Sequence, residues 1–164
     1  MRRRRREKYW SGSRKKRQMT ADLQDYRKFL EGLRLRHFRP AELLGYRNAE
    51  RDGVRNALPP RALWRHIVVP LWVADQLREH LGARCTITSS YRSPAYNAVC
   101  PGAVSGSQHT RNCALDLVYA GVSTRVAANR LLALRRAGAF SGGIGRYDGF
   151  VHLDNRGYAA TWGL

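Results

Sequence analysis

The chain has 164 residues, 43% of them apolar, and a formal net charge of +18. That length leaves room for one domain with a real core, and the apolar runs are short and broken by Arg or Pro, which excludes a transmembrane helix. Three cysteines, Cys85, Cys100 and Cys113, form an odd set without Cys-x-x-Cys spacing, which argues against a disulfide framework or a zinc knuckle.

The charge is unevenly spread. Residues 1–17 hold ten Lys or Arg against one Glu, so +9 of the +18 lies there. Residues 1–20 lack apolar periodicity and read as a disordered basic arm, with Tyr9 and Trp10 between two cationic blocks. Such a charge excess implies polyanionic company: nucleic acid, anionic lipid or an anionic cell wall, with the arm itself expected to meet a cell wall or nucleic acid. The basic start is not followed by an apolar stretch, so no secretory signal is expected.

From residue 21 onward the pattern is globular. Leu23, Tyr26, Leu30 and Leu33 recur at helical spacing and predict a helix over 21–35, with Thr20 or Asp22 as cap. Residues 37–44 read as an extended entry and a short helix, and residues 45–60, with Gly53 and Pro59-Pro60, as a loop. Ile67, Leu71, Ala74, Leu77 and Leu81 give the core stripe of a helix over 61–81. Pro70 either kinks it or starts a second segment at its first turn, and Gly82 ends it.

Cys85 to Thr88 has strand character, and Tyr91-Arg92-Ser93-Pro94 reads as a turn. Gly102 and Gly106 make a flexible approach to His109. Ala114 to Tyr119 predicts a strand from which Asp116 projects. Ser123 to Ala137 predicts a helix capped by Ser123, with Val126, Leu131, Leu132 and Leu134 facing the core. Gly143 to Tyr147 and Phe150 to Asp154 read as a hairpin around Asp148-Gly149, an Asp-Gly pair being a strong two-residue turn signal. On the second strand His152 and Asp154 share one face, and Val151 and Leu153 the other.

Chemistry-bearing residues cluster in the second half. After Glu79 the only carboxylates are Asp116, Asp148 and Asp154, and the only histidines His80, His109 and His152. In so basic a chain, scarce acids gathered around two histidines point to a cation site. Two neutral imidazoles and one carboxylate, from His109, His152 and Asp116, are suitable zinc ligands and leave a fourth tetrahedral position for water, as a catalytic zinc requires.

These residues resemble the zinc D-alanyl-D-alanine carboxypeptidase family of peptidoglycan peptidases, whose fold is shared with the hedgehog signalling domain. The likeness lies in Ser107-x-His109, in Asp116 seven residues after that His, and in His152 on a later strand. It extends to His37-Phe38 through Leu43, to Thr86 through Asn97, and to Gly142 through Asp154, covering about residues 36–162 and leaving the arm outside. It implies an α+β fold, a single domain with a small antiparallel sheet flanked by helices, and a division into an arm over 1–20 and a zinc peptidase-like domain over 21–164.

The resemblance also implies a function. A zinc ion on His109, Asp116 and His152 would serve hydrolysis of peptide bonds in peptidoglycan stem peptides, as a D-Ala-D-Ala carboxypeptidase or an endolysin-type endopeptidase. Arg92 would hold a substrate carboxylate or the developing oxyanion, and Ser107 would orient a ligand. Relatives often carry an acidic base three residues before the second His; Gly149 stands there, so the base falls to Asp154, which is favoured, or to Asp148. Asn112 stands where many members have Gly, and Asn accepts a left-handed backbone better than most residues. The bacterial or phage-borne branch fits, with synthesis in the cytoplasm and action on the wall after lysis or phage delivery. The competing expectation is a basic nucleic-acid-binding or virion protein on a peptidase fold without activity, which the arm and Gly149 favour.

Overall fold

A computed structural model gives the fold and describes residue 19 and residues 21–164. The basic arm expected over 1–20 lies outside the described residues, Met19 apart. Strand β3 spans Cys85–Ser89, β4 Ala114–Tyr119, β5 Gly143–Arg146, β6 Val151–Asp154 and β7 Ala160–Trp162. They form one sheet in the order β3-β4-β6-β5-β7. Neighbouring pairs are antiparallel except β5 and β7, which run parallel. The expected antiparallel sheet is therefore present, with one parallel strand added at its edge.

Period-two alternation decides which residues the sheet hides in the core. Leu115 and Leu117 of β4, Val151 and Leu153 of β6 and Ile144 of β5 are all essentially inaccessible and belong to one apolar cluster. Helices α3 (Val68–Leu81) and α5 (Thr124–Arg136) cover that face. They contribute Leu71, Ala74 and Leu77, and Ala127, Ala128, Leu131 and Leu134. Each fully buried Leu or Ile of this kind contributes about 1.5–3 kcal/mol relative to exposure. Helix α1, over residues 21–32, adds Tyr26 and Leu30.

Helix boundaries follow local chemistry. The predicted 61–81 helix divides: a 3₁₀ segment covers Arg61–Ile67 and α3 begins at Val68, so Pro70 lies in its first turn, where its missing N–H costs nothing. Gly82 ends α3 in the left-handed region at φ 57°. Ser123 caps α5, its Oγ accepting from the Val126 N–H at 3.3 Å. Val126 itself is 47% exposed, not in the core as its helical phase suggested; Ala127 and Ala128 face the sheet instead. Small residues there let α5 approach closely, and a first-turn Val beside them turns outward.

Three elements depart from the expectations. The 45–60 loop contains a 3₁₀ turn at Gly45–Asn48 and a small hairpin of β1 (Glu50–Arg51) and β2 (Val54–Arg55), turning at Asp52-Gly53 with φ of 49° and 73°. Its strands are largely exposed, so they carry no apolar alternation; the Asp-Gly pair was the available signal. The Tyr91–Pro94 turn continues into a short helix α4, Pro94–Ala98, capped by the Ser93 side chain with Pro94 at its start. Strand β7 was not anticipated, being three residues long and only half-buried. Arg135 of α5 secures it by donating from Nη1 to the carbonyls of Gly142 at 2.9 Å and Ala160 at 2.7 Å.

Candidate metal centre

One row of residues crosses the whole sheet. Strand register pairs Ser89 with Asp116, Asp116 with His152, His152 with Gly145 and Gly145 with Trp162. Cross-strand partners share a face, so this row lies opposite the apolar core, and its members Asp116, His152 and Trp162 line a cleft of about 480 Å³. Asp116 and His152 come into contact because β4 and β6 pair in this register and in no other.

His109 arrives from outside the sheet. It sits on a 3₁₀ turn over Gln108–Arg111 whose cap is Ser107, with Oγ accepting from the His109 N–H at 3.4 Å. Asn112 closes the turn at φ 55° and donates from Nδ2 to the Leu63 carbonyl at 3.0 Å. The left-handed conformation expected of Asn112 is thus observed, and it feeds the chain straight into β4.

Hydrogen bonds settle which ring nitrogens face the cleft. His109 Nδ1 lies 2.7 Å from the Ser90 carbonyl, which only accepts, so Nδ1 carries the proton and Nε2 keeps its lone pair. That Nε2 lies 3.3 Å from Asp116 Oδ1. His152 Nδ1 lies 2.8 Å from the same oxygen, while its Nε2 lies 2.9 Å from Asp154 Oδ2. The three inward-facing ligand atoms all fall within 4.8 Å of one another, and all three residues are buried. A tetrahedral ion with bonds near 2.0–2.1 Å sets its ligand atoms about 3.3 Å apart. Two nitrogens and one carboxylate oxygen with that spacing, each histidine tied through its other nitrogen, fit zinc.

Burial and neighbouring charges act differently on the three residues. Burial disfavours charge on His109 and lowers its pKa despite Asp116, which favours the neutral imidazole a metal needs. Burial also works against charge on His152, but the carboxylates of Asp116 and Asp154 outweigh it and raise its pKa. Asp116 is pushed up by burial and more strongly down by His109 and His152, ending well below the usual carboxylate range.

Arg92 and Asp154 each bond directly to a member of the trio. Arg92 lines the cleft and donates from Nη2 to Asp116 Oδ2 at 3.0 Å and from Nε to Ser89 Oγ at 3.0 Å, so it braces that carboxylate. Asp154 has no exposed surface. It accepts from His152 Nε2, from the Gly143 N–H at 2.9 Å, and from Arg156 Nε at 2.9 Å and Nη2 at 2.6 Å. Burial raises its pKa, but the His152, Arg156 and Gly143 hydrogen bonds outweigh burial and hold it far below the usual range. A carboxylate so engaged is placed to hold the His152 ring in one orientation. Asp148 is exposed on the β5–β6 turn and is not among the residues lining the cleft. Asp116 is the one carboxylate among the lining residues described.

Sequence reasoning did not single out Trp162, Tyr147 or Arg156. Trp162 lies beside His152 with ring centroids 5.3 Å apart, under the Arg156 guanidinium at 5.2 Å. Its place depends on Gly145, where a Cβ would come within 2.3 Å of the indole. For Arg156 the signal was its spacing from Asp154, two residues on. A larger groove of about 740 Å³ near Trp64, Pro59 and Pro60 has neither His nor Cys among its lining residues.

The family model described as Peptidase M15 matches residues 36–154. No curated protein and no solved structure matches the chain.

Proposed function

The chain belongs to the peptidase M15 family, and from that premise we propose that it is a zinc-dependent peptidase acting on peptidoglycan stem peptides, as a D-Ala-D-Ala carboxypeptidase or an endolysin-type endopeptidase. The observation that carries this reading is the convergence of His109 Nε2, Asp116 Oδ1 and His152 Nδ1 within 4.8 Å in one cleft. Zinc held there supplies a Lewis acid that polarises the scissile carbonyl.

The chain's own residues do the rest. Ser90 and Ser107 fix His109, the first through its carbonyl and the second through its hydroxyl. Asp154 and Arg156 fix His152, and Arg92 fixes Asp116 while placing a cation beside the oxygen that develops charge. Asp154 is assigned to orientation because its oxygens are engaged, and Asp148 is not assigned the base role because it stands outside the cleft. Peptides with an anionic terminus suit a cleft lined by Arg92 and Arg156. Residues 1–20 are assigned a tethering role toward an anionic polymer, separate from the domain over 21–164.

One observation favours a second reading. Among the described lining residues no carboxylate other than the ligand Asp116 is at hand to take a proton, which suits a basic nucleic-acid-binding or virion protein on an inactive peptidase fold. Metal analysis and turnover separate the two. The peptidase reading expects one zinc per chain and release of peptide or amino acid from purified peptidoglycan, both lost in His109→Ala. Bound zinc without turnover on any peptidoglycan substrate would overturn it in favour of the second.

A further inference from the structure

The wall of the cleft beside His152 is built from aromatic rings, and one of them carries a spare donor. Tyr147 stacks on Phe150 with centroids 4.4 Å apart and planes 14° from parallel. Its phenol oxygen accepts from Trp162 Nε1 at 2.9 Å. Trp162 in turn packs over Gly145, beside His152 and beneath Arg156. Tyr147 is therefore held at its ring and at its oxygen, although 43% exposed.

A phenol has one proton to donate and can accept as well. Indole N–H can only donate, so the contact with Trp162 uses a lone pair of Tyr147 and leaves its proton available. Among the described residues, Tyr147 donates no hydrogen bond. Tyr147, Phe150 and Trp162 line the same cleft as His109, Asp116 and His152, together with the small residues Gly102, Ala103 and Gly106. Every peptide laid in such a slot presents main-chain carbonyl oxygens, which need donors when removed from water.

The geometry points to Tyr147 as a substrate-binding residue, donating its O–H to a main-chain carbonyl oxygen of the bound peptide next to the metal centre. Trp162 is its positioning residue, fixing the direction of that donor. This rests on the peptidase reading for the identity of the peptide but not for the existence of the subsite. The neutral donor complements Arg156, which lines the same cleft while paired with Asp154.

Tyr147→Phe keeps the stacked ring and removes one oxygen. In the full-length, zinc-loaded protein, hydrolysis of a soluble peptide ending in D-Ala-D-Ala and of muropeptides is expected with KM about tenfold higher and kcat within about twofold. Zinc content and Tm should not change. Trp162→Phe should move KM in the same direction. Calorimetric binding of the product peptide, which needs no turnover, should weaken about tenfold in Tyr147→Phe. Unchanged KM and unchanged product affinity overturn the subsite. A fall in kcat alone overturns it too, by moving the phenol into the chemical step. Product affinity that weakens in the variant, with no hydrolysis by the wild type, overturns the peptidase reading and supports the subsite. A wild type that neither binds nor cleaves overturns both.

Discussion

His152 Nε2 lies 2.9 Å from Oδ2 of Asp154, a carboxylate with no exposed surface. The two residues are next-but-one neighbours on β6, so their side chains leave the same face, and the carboxylate backs the imidazole instead of facing the cleft. This relationship is the reason Asp154 is proposed to orient His152 and not to serve as the base. It also explains Gly143, since a Cβ there would come within 2.5 Å of Asp154 Oδ2.

Replacing Asp154 by Asn should therefore destabilise the protein, by about 3–5 kcal/mol, because the Arg156 guanidinium loses its buried partner. Zinc affinity should fall about 10–100-fold as His152 loses its orienting acceptor. Activity lost in this variant should return with excess zinc, whereas loss of a true base would not be repaired by metal. Asp148→Asn should change neither stability nor zinc content. Urea unfolding, zinc titration and rates at two zinc concentrations check all three.

Gly145→Ala tests the packing that carries Trp162. The added methyl meets the indole at 2.3 Å, and a Trp ring clamped between β5 and Arg156 cannot swing aside freely. Overpacking of this kind costs about 1–3 kcal/mol. The expected outcome is a lower Tm and a red-shifted tryptophan emission, with zinc still bound by His109, Asp116 and His152.

The thiols provide a pH test outside the cleft. Burial pushes Cys85 and Cys113 up to about 11, against an ordinary value near 8.5 for a free Cys. Both should resist a thiol reagent at pH 8 in the folded protein, while the half-buried Cys100 reacts first. The sign of the linkage follows: folding keeps these groups protonated, so their contribution is complete below about pH 8.5 and is lost as pH rises toward 11. Native and denatured thiol counts, with urea unfolding between pH 8 and 11, check this.

Removal of residues 1–18 should leave Tm nearly unchanged, since they show no apolar periodicity and, among the described residues, the buried cluster starts at Tyr26 with Leu23 packed against it. Affinity for DNA or teichoic acid should fall, and the dependence of log K on log salt should flatten as fewer counterions are released. A truncated chain that unfolds, or that binds polyanions as before, would show the arm to be part of the body or irrelevant to binding.

Much of this protein is legible in its sequence because the signals are local. Period-two alternation located β4 and β6, the Asp148-Gly149 pair located the hairpin of β5 and β6, and Ser123 located the start of α5. The spacing of His109, Asp116 and His152 named the trio that the fold brings together. Roles were not legible, because they depend on which atom faces which neighbour. Asp154 looked like a base from its place on β6, yet Arg156 and the Gly143 N–H engage it. The bond from Arg92 to Asp116, 24 residues apart, has no local signal either. Trp162 could not be placed from its surroundings in sequence. Its position beside His152 is set by the parallel pairing of β7 with β5 and by the absence of a side chain at Gly145. Sequence by itself determined most of the helices and the strands β3 to β6, the ligand types and the charge. The tertiary structure decided what each polar atom is bonded to, because hydrogen-bond partners come from strand register and long-range packing, which no local pattern encodes.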